Sequence, residues 1–142
     1  MILISHRGNT RGPDPLVENS PSHIRSALKS GYNVEVDVWL TDGEIKLGHD
    51  NPKYKTNIEF LQNDRIWCHC KNIGALEFLI NKEARCFFHH RDAATLTSDG
   101  YIWTYPGLKL TSKSICVLPE RHPPQNMSDA AGVCSDFIES YK

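Results

Sequence analysis

The chain has 142 residues, 39% of them hydrophobic and 23% charged, which is typical of one soluble globular domain covering residues 1–142. Its 16 basic and 17 acidic residues leave a formal net charge of -1 without a long run of one sign, so we expect no nucleic-acid partner. No apolar run approaches a membrane span, and the first residues become charged too early for a signal peptide. We therefore expect a cytoplasmic protein with no membrane span.

Short β-rich runs alternate with helical or loop segments along the chain. The predicted strands cover residues 2–6, 33–40, 65–71, 85–89, 101–105, 114–118 and 132–135. The predicted helices cover residues 22–30, 57–63 and 72–82. Strand followed by helix followed by strand indicates an α/β protein with a parallel sheet. The gaps at 91–101 and 106–114 are too short for a crossover helix, so helices are missing from the second half.

The 5 cysteines lie inside apolar stretches rather than in paired loop positions, which is typical of reduced, buried side chains. They are Cys68, Cys70, Cys86, Cys116 and Cys134. The Cys68-His69-Cys70 run does not predict a structural zinc site, because neighbouring residues of a strand cannot all face one ion.

Polar residues suited to phosphoryl transfer cluster in the first fifty positions. They occur in the order His6-Arg7-Gly8, Glu18-Asn19, Glu35-Val36-Asp37 and Gly48-His49-Asp50. Two histidines can exchange a proton with a reacting group, and one arginine can form a bidentate contact with phosphate.

Glu35 and Asp37 share one face of their predicted strand, because residues two apart point the same way. Valines occupy the opposite, apolar face. Buried carboxylates need either a cation or basic partners, and ion pairs with Arg7, Lys71 or Arg91 are the alternative to a metal ion.

The order and spacing of these motifs resemble the glycerophosphodiester phosphodiesterase family, closely in the first third of the chain and more loosely beyond it. Trp103-Thr104 and Ser135-Asp136 are similar to the family's late-strand motifs. The resemblance implies a (β/α)₈ barrel, a fold that typically needs about 250 residues. Because this chain is far shorter, we predict a reduced TIM-like barrel of about seven or eight strands with several peripheral helices missing.

The resemblance also implies roles for individual residues. His6 and His49 would be the acid–base pair, and which of them is the acid stays open. The metal ligands would be Glu35, Asp37 and His69, where His69 replaces the family's usual glutamate. A histidine that contacts phosphate or packs in the core is the alternative for His69.

Oxygen ligands favour one divalent metal ion such as Mg²⁺ or Ca²⁺, whereas an imidazole moves the preference toward Mn²⁺, Zn²⁺ or Co²⁺. Arg7 and Lys71 would bind the phosphate of a small phosphodiester. Glu18 would lie near the metal and the substrate hydroxyls, although its position before a helix start also fits loop and cap chemistry.

The second half of the chain is less specific. Only one of His89 and His90 can face inward on a regular strand, and we favour His89 as a substrate-side group. Trp103 and Tyr105 either line the pocket and stack on substrate or belong to the core.

These residues predict a metal-dependent phosphodiesterase that hydrolyses a small glycerophosphodiester to an alcohol and glycerol phosphate. The alternatives are a phospholipase-D-like or phosphoinositide-lyase-like enzyme that releases a cyclic phosphate, and a non-catalytic phosphoester-binding domain. We also expect a homodimer, because the apolar strand at 114–118 has no helix in the sequence to cover it.

Overall fold

The computed structural model describes all residues from Met1 to Lys142 as a ten-stranded curled sheet with few helices. The strands are β1 (Ile2–His6), β2 (Asn33–Thr41), β3 (Glu44–Leu47), β4 (Tyr54–Lys55), β5 (Ile66–Cys70), β6 (Cys86–Phe88), β7 (Ala94–Leu96), β8 (Ile102–Thr104), β9 (Ser114–Val117) and β10 (Gly132–Ser135). The helices are α1 (Pro21–Lys29), α2 (Ile58–Leu61) and α3 (Ile73–Asn81), and 3₁₀ turns cover Pro119–Arg121 and Ile138–Tyr141.

The parallel part of the sheet runs in the order β8-β9-β10-β1-β2-β5-β6. Strand β7 pairs antiparallel with β8, and β3 and β4 continue antiparallel from β2. Between β6 and β7 the strand ladder is interrupted, and single bonds such as Ser98 N–H to Cys86 O at 2.8 Å span the gap. The predicted α/β class is confirmed, while the ladder is that of a curled sheet and not of a closed barrel.

All the predicted strands and helices are present, with bounds that differ by a few residues. The sequence interpretation missed β3, β4 and β7, which are the antiparallel strands. Strand β3 follows a turn at Asp42 and Gly43, both of which have positive φ, 51° and 75°. Such a turn joins two antiparallel strands, so β2 folds back on itself before the chain reaches α2.

The outer face of the early strands forms the larger core. Val34, Val36 and Val38 of β2 are fully buried and pack with residues of α1 and α3, such as Ile24 and Leu79. Each such buried side chain stabilises the fold by roughly 1.5–3 kcal/mol. Because β2 alternates strictly, burying these valines turns Glu35 and Asp37 into the curl.

The interior of the curl has an apolar layer and a polar layer. The apolar layer is a cluster of buried residues that includes Ile4, Trp67, Phe87, Trp103 and Ile115. The polar layer lies at the C-terminal ends of the parallel strands, two residues beyond the apolar layer on the same face. Functional side chains can therefore gather there without disturbing the core.

The prediction that the apolar late strands lack cover within the chain is wrong. All four residues of β9 are buried within one chain, although no α-helix covers them. On the neighbouring strand, Val133 packs with Ile138 and Tyr141 of the C-terminal 3₁₀ turn and with Met127 of the preceding loop. Short irregular segments thus take the place of the missing helices.

This packing removes the reason given for a homodimer. We now expect light scattering at micromolar concentration to return 16.1 kDa, the mass of one chain, at every dilution. A stable mass of twice that value would instead restore the homodimer. None of the helices has the length and apolar composition that a bilayer span requires.

Candidate functional site

The polar layer surrounds a cavity of about 390 Å³ at the C-terminal ends of the parallel strands. Most of the predicted site residues line it: His6, Arg7, Glu35, His49, His69, Lys71, His89 and Trp103. Asp37 is fully buried beside it, and Glu18 lines an adjoining polar cleft of about 190 Å³ that shares Arg7 and His49. The fold therefore brings all ten predicted residues to one region, although they come from four strands and four connecting segments.

Glu35, Asp37 and His69 form a compact group of potential metal ligands, with one ligand atom from each lying within 4.8 Å of the others. Strands β2 and β5 place them, because Asp37 and His69 are partners in the parallel register. His69 Nδ1 lies 3.2 Å from Asp37 Oδ1 and 3.8 Å from Glu35 Oε1. Asp37 Oδ1 is buried and has no hydrogen-bond partner. These observations fit a bound cation, which would satisfy that oxygen.

The two carboxyl groups have opposite pKa shifts. Burial and the neighbouring Asp37 charge raise the pKa of Glu35 above its ordinary value. Burial also acts to raise the pKa of Asp37, but His69 and Arg7 outweigh it and bring that pKa well below the usual range. Asp37 is therefore the more firmly ionised of the pair.

Asn19 and Arg7 hold Asp37 in place. Asn19 Nδ2 donates to Asp37 Oδ2 at 2.9 Å, while the backbone N–H of Asp37 donates to Asn19 Oδ1 at 2.8 Å. Arg7 Nε lies 3.1 Å from Asp37 Oδ2, and Arg7 Nη1 donates to Glu18 Oε2 at 3.2 Å. Lys71 Nζ lies 3.9 Å from Asp37 Oδ1. Glu18 thus contacts the guanidinium group of Arg7 and lies outside the Glu35–Asp37–His69 group.

The turn after β1 sets the position of Arg7. Arg7 and Gly8 both have positive φ, 55° and 93°, so the chain reverses directly after His6. A Cβ at residue 8 would lie 2.6 Å from His23 Cδ2, which explains why a glycine stands there. The backbone N–H of Arg7 then donates to the carbonyl oxygen of Glu35 at 3.0 Å and ties the turn to β2.

His6 is held from behind by Asp136. Its Nδ1 lies 2.6 Å from Asp136 Oδ1, and its Nε2 lies 3.9 Å from Glu35 Oε2. Asn9 Nδ2 and Arg121 Nη2 also donate to Asp136, at 2.8 Å and 3.1 Å. Burial opposes ionisation of Asp136, but the bond and charge of His6 outweigh it, and the pKa falls to about 2.

Sequence reasoning assigned no role to Asp136, Asn9 or Arg121. Asp136 directly follows β10, so its place after a parallel strand was the available signal. No sequence pattern indicates that Arg121 contacts Asp136, because this contact depends on a 3₁₀ turn that the sequence analysis did not predict.

His49 also lines the cavity and is more exposed than His6. Its side chain is 43% exposed, and its Nδ1 lies 2.8 Å from Asp50 Oδ1. Trp39 Nε1 donates to the carbonyl oxygen of Gly48 at 2.6 Å and fixes the start of this loop. A Cβ at Gly48 would collide with the carbonyl group of Asn51, so the loop requires glycine.

Both His89 and His90 line the cavity, which corrects the expectation that only one faces inward. Strand β6 ends at Phe88, so the alternation of a strand does not extend to these residues. The His89 ring stacks on His69 with centroids 4.4 Å apart. Burial and the charges of His69 and Lys71 lower the pKa of His89 to about 4, which keeps its ring neutral near pH 7.

Aromatic side chains form the rest of the wall. Tyr105 packs edge-on against His89 with ring centroids 5.4 Å apart. Trp103 is 2% exposed and packs on Phe87 at 4.5 Å, so it belongs to the core while also bordering the cavity. The cysteines are free and buried, as expected, and none lines the cavity.

The arrangement places acids, bases and cations around a space large enough for a small anionic molecule. No protein-family model, curated protein or solved structure matches this chain.

Proposed function

We propose that this protein is a metal-dependent phosphodiesterase that hydrolyses a small glycerophosphodiester to an alcohol and glycerol phosphate. The observation that carries the proposal is one cavity that combines the Glu35–Asp37–His69 group with two histidines and Arg7. The cavity of about 390 Å³ falls within the size range of small-molecule binding sites. We also propose that the curled sheet is a reduced TIM-like barrel, since its parallel strands neighbour one another in barrel order.

The positively charged side chains of Arg7 and Lys71 bind the phosphate. Arg7 offers a planar guanidinium that can contact two phosphate oxygens, and Lys71 offers a flexible point charge. Both already border the cavity, so they can offset negative charge that grows on the phosphate during reaction. A divalent ion held by Glu35, Asp37 and His69 would supply a Lewis acid that lowers the pKa of a substrate hydroxyl.

Proton transfer falls to the two histidines. With its Nδ1–H donated to Asp136, neutral His6 presents Nε2 as an acceptor and takes the proton of the attacking glycerol hydroxyl. The hydroxyl oxygen bonds to phosphorus, the bond to the leaving alkoxide breaks, and protonated His49 gives that alkoxide its proton. This first step leaves a cyclic phosphate. Water then opens the ring, with His49 taking the proton of the water and His6 giving its proton to the departing oxygen, so both histidines regain their starting states.

Glu35→Gln should abolish metal-dependent turnover and lower metal affinity at least about tenfold, because the amide removes a charged ligand without changing the shape of the side chain. Calorimetry and a hydrolysis assay on glycerophosphodiesters measure the two effects. Glu59→Gln, on the exposed surface of α2, is the matched control and should change neither.

The other candidate functions predict different results. Unchanged metal affinity in both Glu35→Gln and Asp37→Asn would show that the ligand assignment is wrong. A cyclic phosphate as the end product would indicate a lyase-like enzyme. Tight binding of a phosphodiester without any turnover would indicate a phosphoester-binding domain. We also propose a cytoplasmic location, which the free cysteines support.

A further inference from the structure

The carboxylates at the Glu35–Asp37–His69 group each have one oxygen that is already engaged. Glu35 Oε2 accepts from the backbone N–H of Arg7 at 3.3 Å. Asp37 Oδ2 accepts from Asn19 Nδ2 at 2.9 Å and lies 3.1 Å from Arg7 Nε. Glu35 Oε1 and Asp37 Oδ1 accept no hydrogen bond, so they are the carboxylate oxygens most readily offered to a cation.

The third free atom is a nitrogen. His69 Nδ1 faces both free oxygens, at 3.8 Å and 3.2 Å. Asp37 Oδ1 has no hydrogen-bond partner although its side chain is only 1% exposed. A cation placed among these three atoms would pair the buried Asp37 oxygen that now has no hydrogen-bond partner. The group therefore presents two single oxygens and one imidazole nitrogen.

We infer that this group selects a borderline transition-metal ion, of the Zn²⁺ and Co²⁺ type, over Mg²⁺ and Ca²⁺. The inference rests on the proposed function only in taking these three residues as the metal site. Three protein ligands with an open position are typical of catalytic zinc sites. Imidazole is a good ligand for Zn²⁺ and Co²⁺. Among divalent ions, affinity for a nitrogen-containing site is higher for Co²⁺ than for Mn²⁺.

The same donor set disfavours the two hard ions. Ca²⁺ takes six to eight oxygen ligands and often uses bidentate carboxylates, whereas this group offers two carboxylates that each already accept a hydrogen bond on one oxygen. Mg²⁺ prefers six oxygens in octahedral geometry, and His69 contributes a nitrogen. Glu18 lies outside this group, and its two oxygens accept from Arg7 and Asn9 instead.

Calorimetric titration of the metal-stripped full chain with each ion separately tests the selectivity. We expect one Zn²⁺ or Co²⁺ to bind per chain at least about 100-fold more tightly than Mg²⁺ or Ca²⁺. The visible absorption of bound Co²⁺ gives a second readout that does not depend on activity.

Substitution at residue 69 tests which side chain causes the selectivity. His69→Glu, which replaces the nitrogen by a third carboxylate, should lower Zn²⁺ affinity about tenfold or more and raise Mg²⁺ and Ca²⁺ affinity. His122→Glu makes the same change on an exposed loop and should leave all four affinities unchanged. If His69→Glu fails to fold, as shown by its thermal melt, His69→Gln provides the same loss of the nitrogen ligand.

The outcomes separate this inference from the proposed function. Tighter Mg²⁺ or Ca²⁺ binding in the unsubstituted protein, with turnover, overturns the selectivity and leaves the phosphodiesterase proposal standing. Zn²⁺ affinity that is equal in His69→Glu and the unsubstituted protein overturns it too, because the nitrogen of His69 then contributes nothing to the preference. Hydrolysis that needs no metal, with no ion bound, overturns both the selectivity and the metal dependence.

Discussion

His6→Ala should lower turnover by roughly 10²- to 10⁴-fold, because it removes the buried base while leaving the metal ligands in place. His6 is 6% exposed and sits between Asp136 and Glu35, so neither water nor a neighbouring side chain can readily take over its Nε2. His49→Ala should cost at least about 10²-fold for loss of the proton donor. Steady-state hydrolysis of a glycerophosphodiester across pH measures both effects.

The pH profile of the unsubstituted protein should be bell-shaped, since one histidine must be neutral and the other protonated. Each single variant should lose one limb of that profile. His122→Ala, on an exposed loop, is the control and should keep both the rate and the profile. Near-normal turnover of His49→Ala would exclude His49 as the proton donor, and the exposed Asp50 beside it would not rescue the assignment.

The side-chain alternation of β2 explains why part of the site could be predicted from the sequence. Three valines on one face require Glu35 and Asp37 to share the other, and this pattern depends only on the geometry of a strand. The parallel order of the strands then brings His6 and His69 to the same edge, because His6 is a register partner of Glu35 and His69 of Asp37.

Other features depend on contacts between distant parts of the chain. Asp136 lies 130 residues from His6, and no local pattern links the two. The inward positions of both His89 and His90 follow from the end of β6 at Phe88, which strand alternation cannot predict. The cover over β10 comes from Ile138 and Met127 in irregular segments, whereas sequence patterns indicate only regular helices.

Asp136→Asn should lower kcat by roughly 10²- to 10⁴-fold with little change in KM, because Asp136 contacts His6 rather than the cavity. The carboxylate accepts the Nδ1–H of His6 and so leaves Nε2 free to take a proton. An asparagine amide can instead donate to Nδ1, which would place the imidazole proton on Nε2 and block the base. A purely structural role would predict no selective effect on kcat, and an unchanged kcat with a raised KM would contradict the positioning role.

Asp136 should also make stability depend on acid pH. Its pKa of about 2 in the folded protein lies below that of an unfolded aspartate, so the unfolded chain binds more protons between those values. The stabilisation, on the order of 2 kcal/mol, is complete above about pH 5 and is lost as the pH falls toward 2. Urea unfolding at pH 7 should therefore show Asp136→Asn to be less stable than the unsubstituted protein, with a difference that narrows near pH 2. Asp129→Asn on an exposed loop should show no such narrowing, and a difference independent of pH would mean that the Asp136 carboxylate does not stabilise the fold through its charge.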